Sequence, residues 1–380
     1  MAKKKTDKRN RYLNIGAILL ILAILMALNL TLDNYQIRIF NLCGIYIILS
    51  LSMILINGFL GLFSLGHAGF MAIGAYTCAL LTMDPAIKKM NFFLQPIVPW
   101  LAHVQWPILP AIFLSGILAA FAGLLIGAPV LRLKDDYLAI ATLGFAEIIR
   151  IIFTNTQTLT NGSLGLKGIE TIKTVIPVMG TSVTINVMWW IWIIAILTVI
   201  FMVRLIRGSY GKAFMAIRED EIAAEAMGIS IFKHKLLAFV IASFFAGVGG
   251  ALLGNLMGTI DPLMFRFLLT YNIVMVVVLG GIGSITGGVL SSIVVTILME
   301  VLRFLDGTFA IGSFVIPGMP GLRMVVFSIL LMLVIIYRPK GILGTREFSW
   351  DWLLGIPAYI KRISKKPGKP GKDVGNDGNA

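Results

Sequence analysis

The stretch RLIRGSYGKAFMAIREDEIAAEAMGISIFKHK, residues Arg204 to Lys235, is the longest charged segment inside a chain that is otherwise almost continuously apolar. Apolar runs flank it on both sides, Asn186 to Val203 before it and Leu236 to Met257 after it. An apolar helix of about 20 residues crosses a bilayer, so two spans deliver this loop to the same aqueous side. Its central Ala, Met and Glu residues, followed by Gly228, predict a short helix with a glycine stop.

The composition of the whole chain predicts an all-α, polytopic membrane protein. Of the 380 residues, 58% are hydrophobic and 13% are charged, with a mean hydropathy of +0.92. A soluble domain of this size could not bury so much apolar surface. The net charge of +14 does not indicate nucleic acid, because the basic residues lie in tails and short loops. Two cysteines in apolar runs and three dispersed histidines predict neither a disulfide nor a metal site.

The apolar runs predict about ten transmembrane helices, with both termini in the cytoplasm. The first run, 15–32, is too long for a signal peptide and no cleavage motif follows it. Most of the 32 Lys and Arg residues fall on one predicted side, which sets that side as cytoplasmic. We divide the chain into a basic cytoplasmic N-terminus (1–14), a transmembrane domain (15–344) with the cytoplasmic loop 204–235, and an interfacial segment with a disordered basic tail (345–380).

Two glycine-rich segments interrupt the apolar helices, one in each half of the chain. They are NGFLGLFSLGHAGFMAIGAYTCALL, Asn57 to Leu81, and GGIGSITGG, Gly280 to Gly288. Glycine permits breaks in membrane helices, and paired breaks in two halves mark the route of a transporter. We predict that both segments line a path at mid-membrane; helix packing alone is the alternative. The candidate path residues are Asn57, Ser64, Gly66, His67, Gly281, Gly283 and Ser284.

One acidic residue, Glu147, lies inside an apolar run, where an unpaired charge is costly. Arg150 follows three residues later and therefore lies on the same face of a helix. We interpret Glu147 and Arg150 as a structural ion pair, with control of substrate passage as the alternative.

No catalytic or energy-converting motif is visible in the sequence. The patterns G-x-x-x-x-G-K-[ST], G-x-S-x-G and H-E-x-x-H do not occur, nor does a string of carboxylates typical of a proton-driven carrier. We therefore expect neither an enzyme nor a bound cofactor. Two classes of function therefore remain, passive conduction and transport driven by a partner.

Five stretches resemble, in the right order, the permease subunits of ABC importers for branched-chain amino acids. The resemblance covers nearly everything from Ile45 to Gly344 and is closest to the LivM type of the two permease subunits. The stretches are Asn57 to Ala79, LRLKDDYLAIATLGFAEIIRI (Leu131 to Ile151), NGSLGL (Asn161 to Leu166), AIREDEIAAEAMGISIFKHKLLAFVIASFFAGVGGALLG (Ala216 to Gly254) and VLGGIGSITGGVL (Val278 to Leu290).

The resemblance implies a function and a set of partners. The chain would be a permease subunit in the inner or plasma membrane that moves leucine, isoleucine and valine by alternating access. Its partners would be a second, homologous permease, two cytoplasmic ATPase subunits that bind the ATP, an external substrate-binding protein and the lipid bilayer. A permease of the same architecture for urea or short amides, and a stand-alone carrier or channel, are the alternatives.

In transporters of this family, a cytoplasmic helix of each permease sits in a groove of an ATPase subunit. The resemblance gives this role to Arg204–Lys235, which we call the coupling loop. Related permeases often carry E-A-A-x-x-x-G in this helix, whereas here Ile222 stands where the glutamate would be. The predicted contact residues are Arg218, Glu219, Asp220, Glu221, Ala223, Ala224, Glu225 and Gly228, with the alanines permitting close docking.

Overall fold

A computed structural model of the chain describes residues 31–133, 135–169, 173–178, 181–307, 309–311, 314–316, 321–338, 341–344 and 347, together with Gly16 and Leu25. One unit, Thr31–Glu347, contains all the elements below, and the chain ends Met1–Leu30 and Phe348–Ala380 form the other. The predicted basic N-terminus 1–14, nearly all of the first span 15–32, and the segment 345–380 apart from Glu347 lie outside the described residues.

The described unit consists mainly of α-helices, joined by short loops and three pairs of short strands. A π-helical turn, Ile54–Phe59, extends the first helix, and 3-10 turns lie at Gly162–Leu164, Pro262–Phe265 and Leu302–Asp306. The helices are α1 Asn34–Met53, α2 His67–Thr82, α3 Pro85–Asn91, α4 Pro99–Ala102, α5 Ile108–Val130, α6 Asp135–Asn155, α7 Gln157–Thr160, α8 Val187–Arg207, α9 Ser209–Glu219, α10 Glu221–Ala226, α11 Ile231–Met257, α12 Phe267–Gly280, α13 Ile285–Val301 and α14 Leu322–Tyr337. The strands are β1 Leu166–Lys167, β2 Lys173–Val178, β3 Thr181–Asn186, β4 Thr259–Ile260, β5 Phe309–Ile311 and β6 Phe314–Ile316.

Within the described residues, six helices are long and apolar enough to cross a membrane. Three shorter apolar helices accompany them, His67–Thr82, Phe267–Gly280 and Leu322–Val334. These helices confirm the prediction of an all-α, polytopic membrane protein. The number of ten spans and the orientation of the termini stay predictions.

The strand pairs and loops separate two faces of the helical bundle. The coupling loop contains α9 and α10 and joins α8 to α11 at one face. At the other end of α11, β4 pairs antiparallel with β1, with Leu166 opposite Ile260. The amide of Asn91 donates to the carbonyl of Lys167 at 2.8 Å, which ties α3 to the same face. Residues 84–107 therefore lie on the face opposite the coupling loop.

Helix α11 is the centre of the bundle, because small residues let its neighbours approach its backbone. A Cβ atom built on Gly250 would lie 2.1 Å from the carbonyl oxygen of Met71 in α2. A Cβ on Gly74 of α2 would lie 2.0 Å from the carbonyl oxygen of Gly247. On the other side of α11, a Cβ on Gly247 would lie 2.4 Å from Cβ of Ala119 in α5. Small side chains at such contacts are the usual means of packing helices in membranes.

This packing predicts that Gly250→Ala destabilises the protein. The added methyl group has no room against the Met71 backbone, and overpacking of this kind costs about 1–3 kcal/mol. We expect the thermal unfolding midpoint of the full-length chain in detergent, measured by fluorescence-detected size-exclusion chromatography, to fall by several degrees.

Gly144→Ala is the matched control. Gly144 lies on α6, and its Cβ atom would meet nothing within 4 Å. The control should unfold at the temperature of the unmodified chain. Equal unfolding temperatures for the two variants would contradict the close approach of α2 and α11.

Candidate functional site

The coupling loop folds into two short helices, of which α10 is capped at both ends from within the loop. Asp220 separates α9 from α10, and its carboxylate accepts a hydrogen bond from the backbone N–H of Ala223 at 3.0 Å. At the other end of α10, Gly228 has φ +83° and its N–H donates to the carbonyl of Glu225. The N–H of Ile229 donates to the carbonyl of Ala224, which completes a Schellman motif. The predicted glycine stop is thus present, but Asp220 divides the predicted single helix in two.

Three of the four acidic residues in this loop already have partners within the described chain. Glu219 pairs with Arg218 at 2.6 Å, and Glu221 forms an ion pair with Lys235. Lys235 is buried at the start of α11, so this second pair joins α10 to a membrane helix. Asp220 acts as the helix cap described above. Only Glu225 among the four presents its carboxylate without a described partner.

The outer face of α10 is apolar rather than charged. The side chains of Ile222 and Met227 are each 82% exposed, and Ala223 beside them is exposed as well. Ala224 points the other way and is only 4% exposed, so it packs inside the loop. We predicted that Ala224 permits close docking of a partner; its inward direction instead makes Ala223 the alanine on the outer face.

Arg218 joins the coupling loop to both glycine-rich segments. Its Nη1 donates to the carbonyl oxygen of Gly58 at 3.0 Å. A Cβ atom on Gly61 would lie 2.5 Å from Cγ of Arg218, and one on Gly283 would lie 3.2 Å from its Nη1. The two segments also lie too close together for a side chain between them, because a Cβ on Gly58 would lie 3.0 Å from the backbone nitrogen of Gly283. We call the contact of Gly58, Gly61, Gly283 and Arg218 the junction.

Residues 60–66 form a non-helical connection from the junction to the start of α2. Threonines of neighbouring helices accept hydrogen bonds from its backbone and from the first turn of α2. Thr142 accepts from the N–H of Leu65 at 3.0 Å, and Thr270 accepts from the N–H of Ala68, in α2, at 2.9 Å. Helix α12 ends at Gly280, and Thr270 lies ten residues before that end, which is about 15 Å along the helix axis. This distance is about half the thickness of the hydrocarbon core of a bilayer. The break therefore begins at the coupling-loop face and ends near mid-membrane.

The predicted polar path residues of this segment lie in the packed interior. Asn57 accepts a hydrogen bond from the N–H of Ser64 at 3.3 Å, and Ser52 lies 3.1 Å from Nε2 of His67. Both Ser64 and His67 are fully buried. Oγ of Ser64 and Nδ1 of His67 have no hydrogen-bond partner within the described chain. Gly66 allows the connection to pass α6, because its Cβ would lie 3.0 Å from the carbonyl oxygen of Thr142.

The second break is a tight turn between α12 and α13, as predicted from its glycines. Ser284 caps α13 by accepting from the N–H of Gly287 at 3.0 Å. The segment after α14 packs on this turn, since a Cβ on Gly341 would lie 2.5 Å from Cα of Gly281. The Glu347 carboxylate accepts from the N–H groups of Ile285 and Thr286 at 2.6 and 3.1 Å, near the first turn of α13. We did not predict this role of Glu347 from the sequence. The only signal was that an acidic residue stands among the basic residues that follow α14.

Glu147 and Arg150 lie on α6, apart from the junction. Arg150 Nε donates to Glu147 Oε2 at 2.6 Å, and both side chains are partly exposed. The geometry is that of an i,i+3 ion pair.

The fold and these contacts define a multi-pass membrane protein in which a broken helix and a tight turn between two helices meet one polar loop, as expected of a transport permease. The chain belongs to the family described as branched-chain amino acid transport system / permease component, whose family model matches residues 35–335. Members of this family are transport permeases and not enzymes. This confirms the resemblance inferred from the sequence.

Curated relatives agree with the family. The high-affinity branched-chain amino acid transport system permease protein LivM of Escherichia coli is 33% identical over 80% of this chain and 68% of its own length. The probable branched-chain amino acid transport permease protein LivM of Methanocaldococcus jannaschii is 28% identical over 86% of this chain and 96% of its own length. The permease protein LivH of Escherichia coli is 27% identical over 80% of this chain and 92% of its own length. No solved structure matches the chain.

The junction predicts that Gly61→Ala displaces Arg218. Gly61 has φ +79°, which strains an L-residue, and the new methyl group would also collide with Cγ of Arg218. We expect trypsin to cut the folded chain after Arg218 several times faster in this variant, because the arginine leaves its place against Gly58. Mass spectrometry of the first fragments measures the rate.

Gly258→Ala is the matched control, because it introduces a similar backbone strain without a clash against Arg218. Gly258 has φ +71°, and its Cβ atom would meet only the carbonyl oxygen of Ile169, at 3.6 Å. This control carries the same backbone strain on the opposite face and should leave cleavage after Arg218 unchanged. Equal rates in both variants would show that Gly61 does not position Arg218.

Proposed function

We propose that this chain is a permease subunit of an ABC importer that moves branched-chain amino acids across the inner or plasma membrane by alternating access. Support comes from the curated relatives, which are named high-affinity branched-chain amino acid transport system permease proteins LivM and LivH. Two permease types in one organism favour a second, related permease as partner. Two cytoplasmic ATPase subunits, which would bind the ATP in place of any cofactor on this chain, and an external substrate-binding protein complete the proposed assembly.

The observation that carries this proposal is the contact of Arg218 with both helix breaks. A force applied to α9 reaches Gly58 through one hydrogen bond, and Gly283 lies so close to the same guanidinium that a Cβ atom built on it would be 3.2 Å from Nη1. The break after Gly58 and the turn between α12 and α13 are both points at which the chain can change direction while the helices on either side keep their hydrogen bonds. A partner that moves the coupling loop would therefore move both halves of the permease together, which is the two-state coupling that alternating access needs.

The outer face of α10 is the proposed contact with the ATPase. The side chains of Ile222 and Met227 are exposed to solvent within an otherwise polar loop. Exposed apolar side chains at such a position are typical of a protein–protein contact. Ile222 occupies the position of the family glutamate, so the contact here would be apolar where related permeases use a charge. Glu225 lies beside this face and is available to a basic group of the partner.

The proposal includes a topology of ten spans with both termini in the cytoplasm, on the same side as the coupling loop. The buried polar groups of Asn57, Ser64 and His67 would line the path once the junction opens. Their unsatisfied atoms, Oγ of Ser64 and Nδ1 of His67, are costly in the closed packing and would gain partners in a hydrated path.

Met227→Asp should release the ATPases. A charge placed in an apolar contact would be desolvated without a partner, which costs several kcal/mol and weakens binding more than 100-fold. We expect the tagged chain, purified from its native cells, to lose the ATPase subunits that accompany the unmodified chain in mass spectrometry. Uptake of labelled leucine should fall to background.

Met90→Asp is the matched control, since Met90 is 78% exposed on the opposite face of the bundle. It should retain the ATPases. Loss of the ATPases in both variants, or leucine uptake by the purified chain alone in vesicles, would contradict the proposed coupling role.

Arg218→Ala should separate binding from transport. The outer face of α10 remains, so the ATPases should still co-purify, whereas the hydrogen bond to Gly58 is lost. We expect leucine uptake to fall about tenfold or more while ATP hydrolysis by the assembly continues. Unchanged uptake per hydrolysed ATP would show that Arg218 transmits no movement.

A further inference from the structure

A lateral groove opens between α5, α8 and α11, three helices that are long and apolar enough to cross a membrane. Its volume is about 470 Å³, within the range of pockets that hold small ligands. Along α8 it extends from Ile194 to Arg204, about 15 Å of helix. Leu197 and Phe113 on its rim are exposed, so the groove is open to the surrounding hydrocarbon rather than closed inside the protein.

Four aromatic rings form the wall of this groove and contact one another in sequence. The ring centroids of Phe113 and Phe244 are 5.9 Å apart, those of Phe244 and Phe245 are 5.3 Å apart, and those of Phe245 and Phe201 are 5.3 Å apart. The Phe244 ring packs against Gly116, where a side chain would not fit, because a Cβ atom on Gly116 would lie 2.6 Å from the ring. The first two pairs are edge-to-face and the third is tilted, and these ring contacts form the wall of the groove without an occupant.

The lining of the groove is apolar except at one end. The hydroxyl of Thr198 donates to the carbonyl of Ile194 at 2.8 Å and needs no further partner. Arg204 lies in the last turn of α8, at the coupling-loop face, and its side chain is exposed. No carboxylate of the described residues forms an ion pair with it. The groove is therefore apolar along most of its length and has one guanidinium, that of Arg204, at its end near the coupling loop.

We propose that this groove binds one phospholipid of the leaflet nearest the coupling loop, with an acyl chain along the aromatic wall and the phosphate on Arg204. The occupant must come from hydrocarbon on one side and carry a negative charge at its polar end, and a phospholipid meets both conditions. Guanidinium and phosphate match in geometry and form strong, charge-assisted hydrogen bonds. Other exposed cations of the same face, Arg207 and Lys212, add attraction for an anionic headgroup.

The test uses the full-length chain, purified in mild detergent and titrated with phosphatidylglycerol or phosphatidylcholine under native mass spectrometry. We expect one phosphatidylglycerol to be retained at lower concentration than phosphatidylcholine. Arg204→Ala should require about tenfold more phosphatidylglycerol for the same occupancy, the effect of one lost charged contact. Arg207→Ala is the matched control, because Arg207 lies in the same helical turn but does not line the groove. An equal loss in both variants would overturn the site in favour of diffuse surface charge.

A second pair of variants tests the position of the acyl chain. Leu197→Trp fills the groove and should reduce retention of both lipids, whereas Ile193→Trp, on the same helix outside the groove, should not. Retention of lipid by the Leu197→Trp variant would place the chain elsewhere and overturn the proposal.

The competing occupant is another protein subunit. The two native cysteines, Cys43 and Cys78, are buried, so a Leu197→Cys variant can be cross-linked selectively in native membranes. A monomeric product supports the lipid site. A cross-linked product of higher mass would show that a protein covers the groove and would overturn the proposal.

Discussion

Direct contact between backbones at glycine is the constraint on which this structure depends. Helix α11 reaches the centre of the bundle because Gly247 and Gly250 let α2 and α5 approach its main chain. The junction uses the same device, with Gly58 against Gly283 and Arg218 above them. In a membrane, where burial of apolar groups gives little advantage over contact with lipid, close van der Waals packing and hydrogen bonds hold helices together. The positions of the breaks and of the core thus follow from one residue type.

The features encoded by composition and periodicity were predictable from the sequence. The apolar runs predicted the helices, and the glycines of 57–81 and 280–288 predicted where the helices are interrupted. The charged residues of Arg204–Lys235 predicted the polar loop. These signals are local, because a helix must be apolar to cross a membrane whatever its neighbours are. The three short strand pairs were not predicted, and one of them, β1 with β4, joins residues almost a hundred positions apart, for which one sequence carries no local signal.

Directions of side chains in the coupling loop were the least predictable part of the candidate site. The motif placed both Ala223 and Ala224 among the predicted contact residues, but Ala224 is buried inside the loop whereas Ala223 and Ile222 are exposed. The contact of Arg218 with Gly58 spans 160 residues and has no local signal. The same holds for Glu347 on α13. Each depends on tertiary packing that one sequence does not report.

The two caps of α10 have a consequence for the speed and strength of association. A six-residue helix does not hold its shape alone in water, yet here Asp220 fixes one end and the turn at Gly228 fixes the other. The ion pair of Glu221 with Lys235 ties the helix to α11. A partner therefore meets a surface that is already ordered, and little of its binding free energy is lost to immobilising the loop. Preorganisation of this kind suits a contact that must form and transmit force repeatedly.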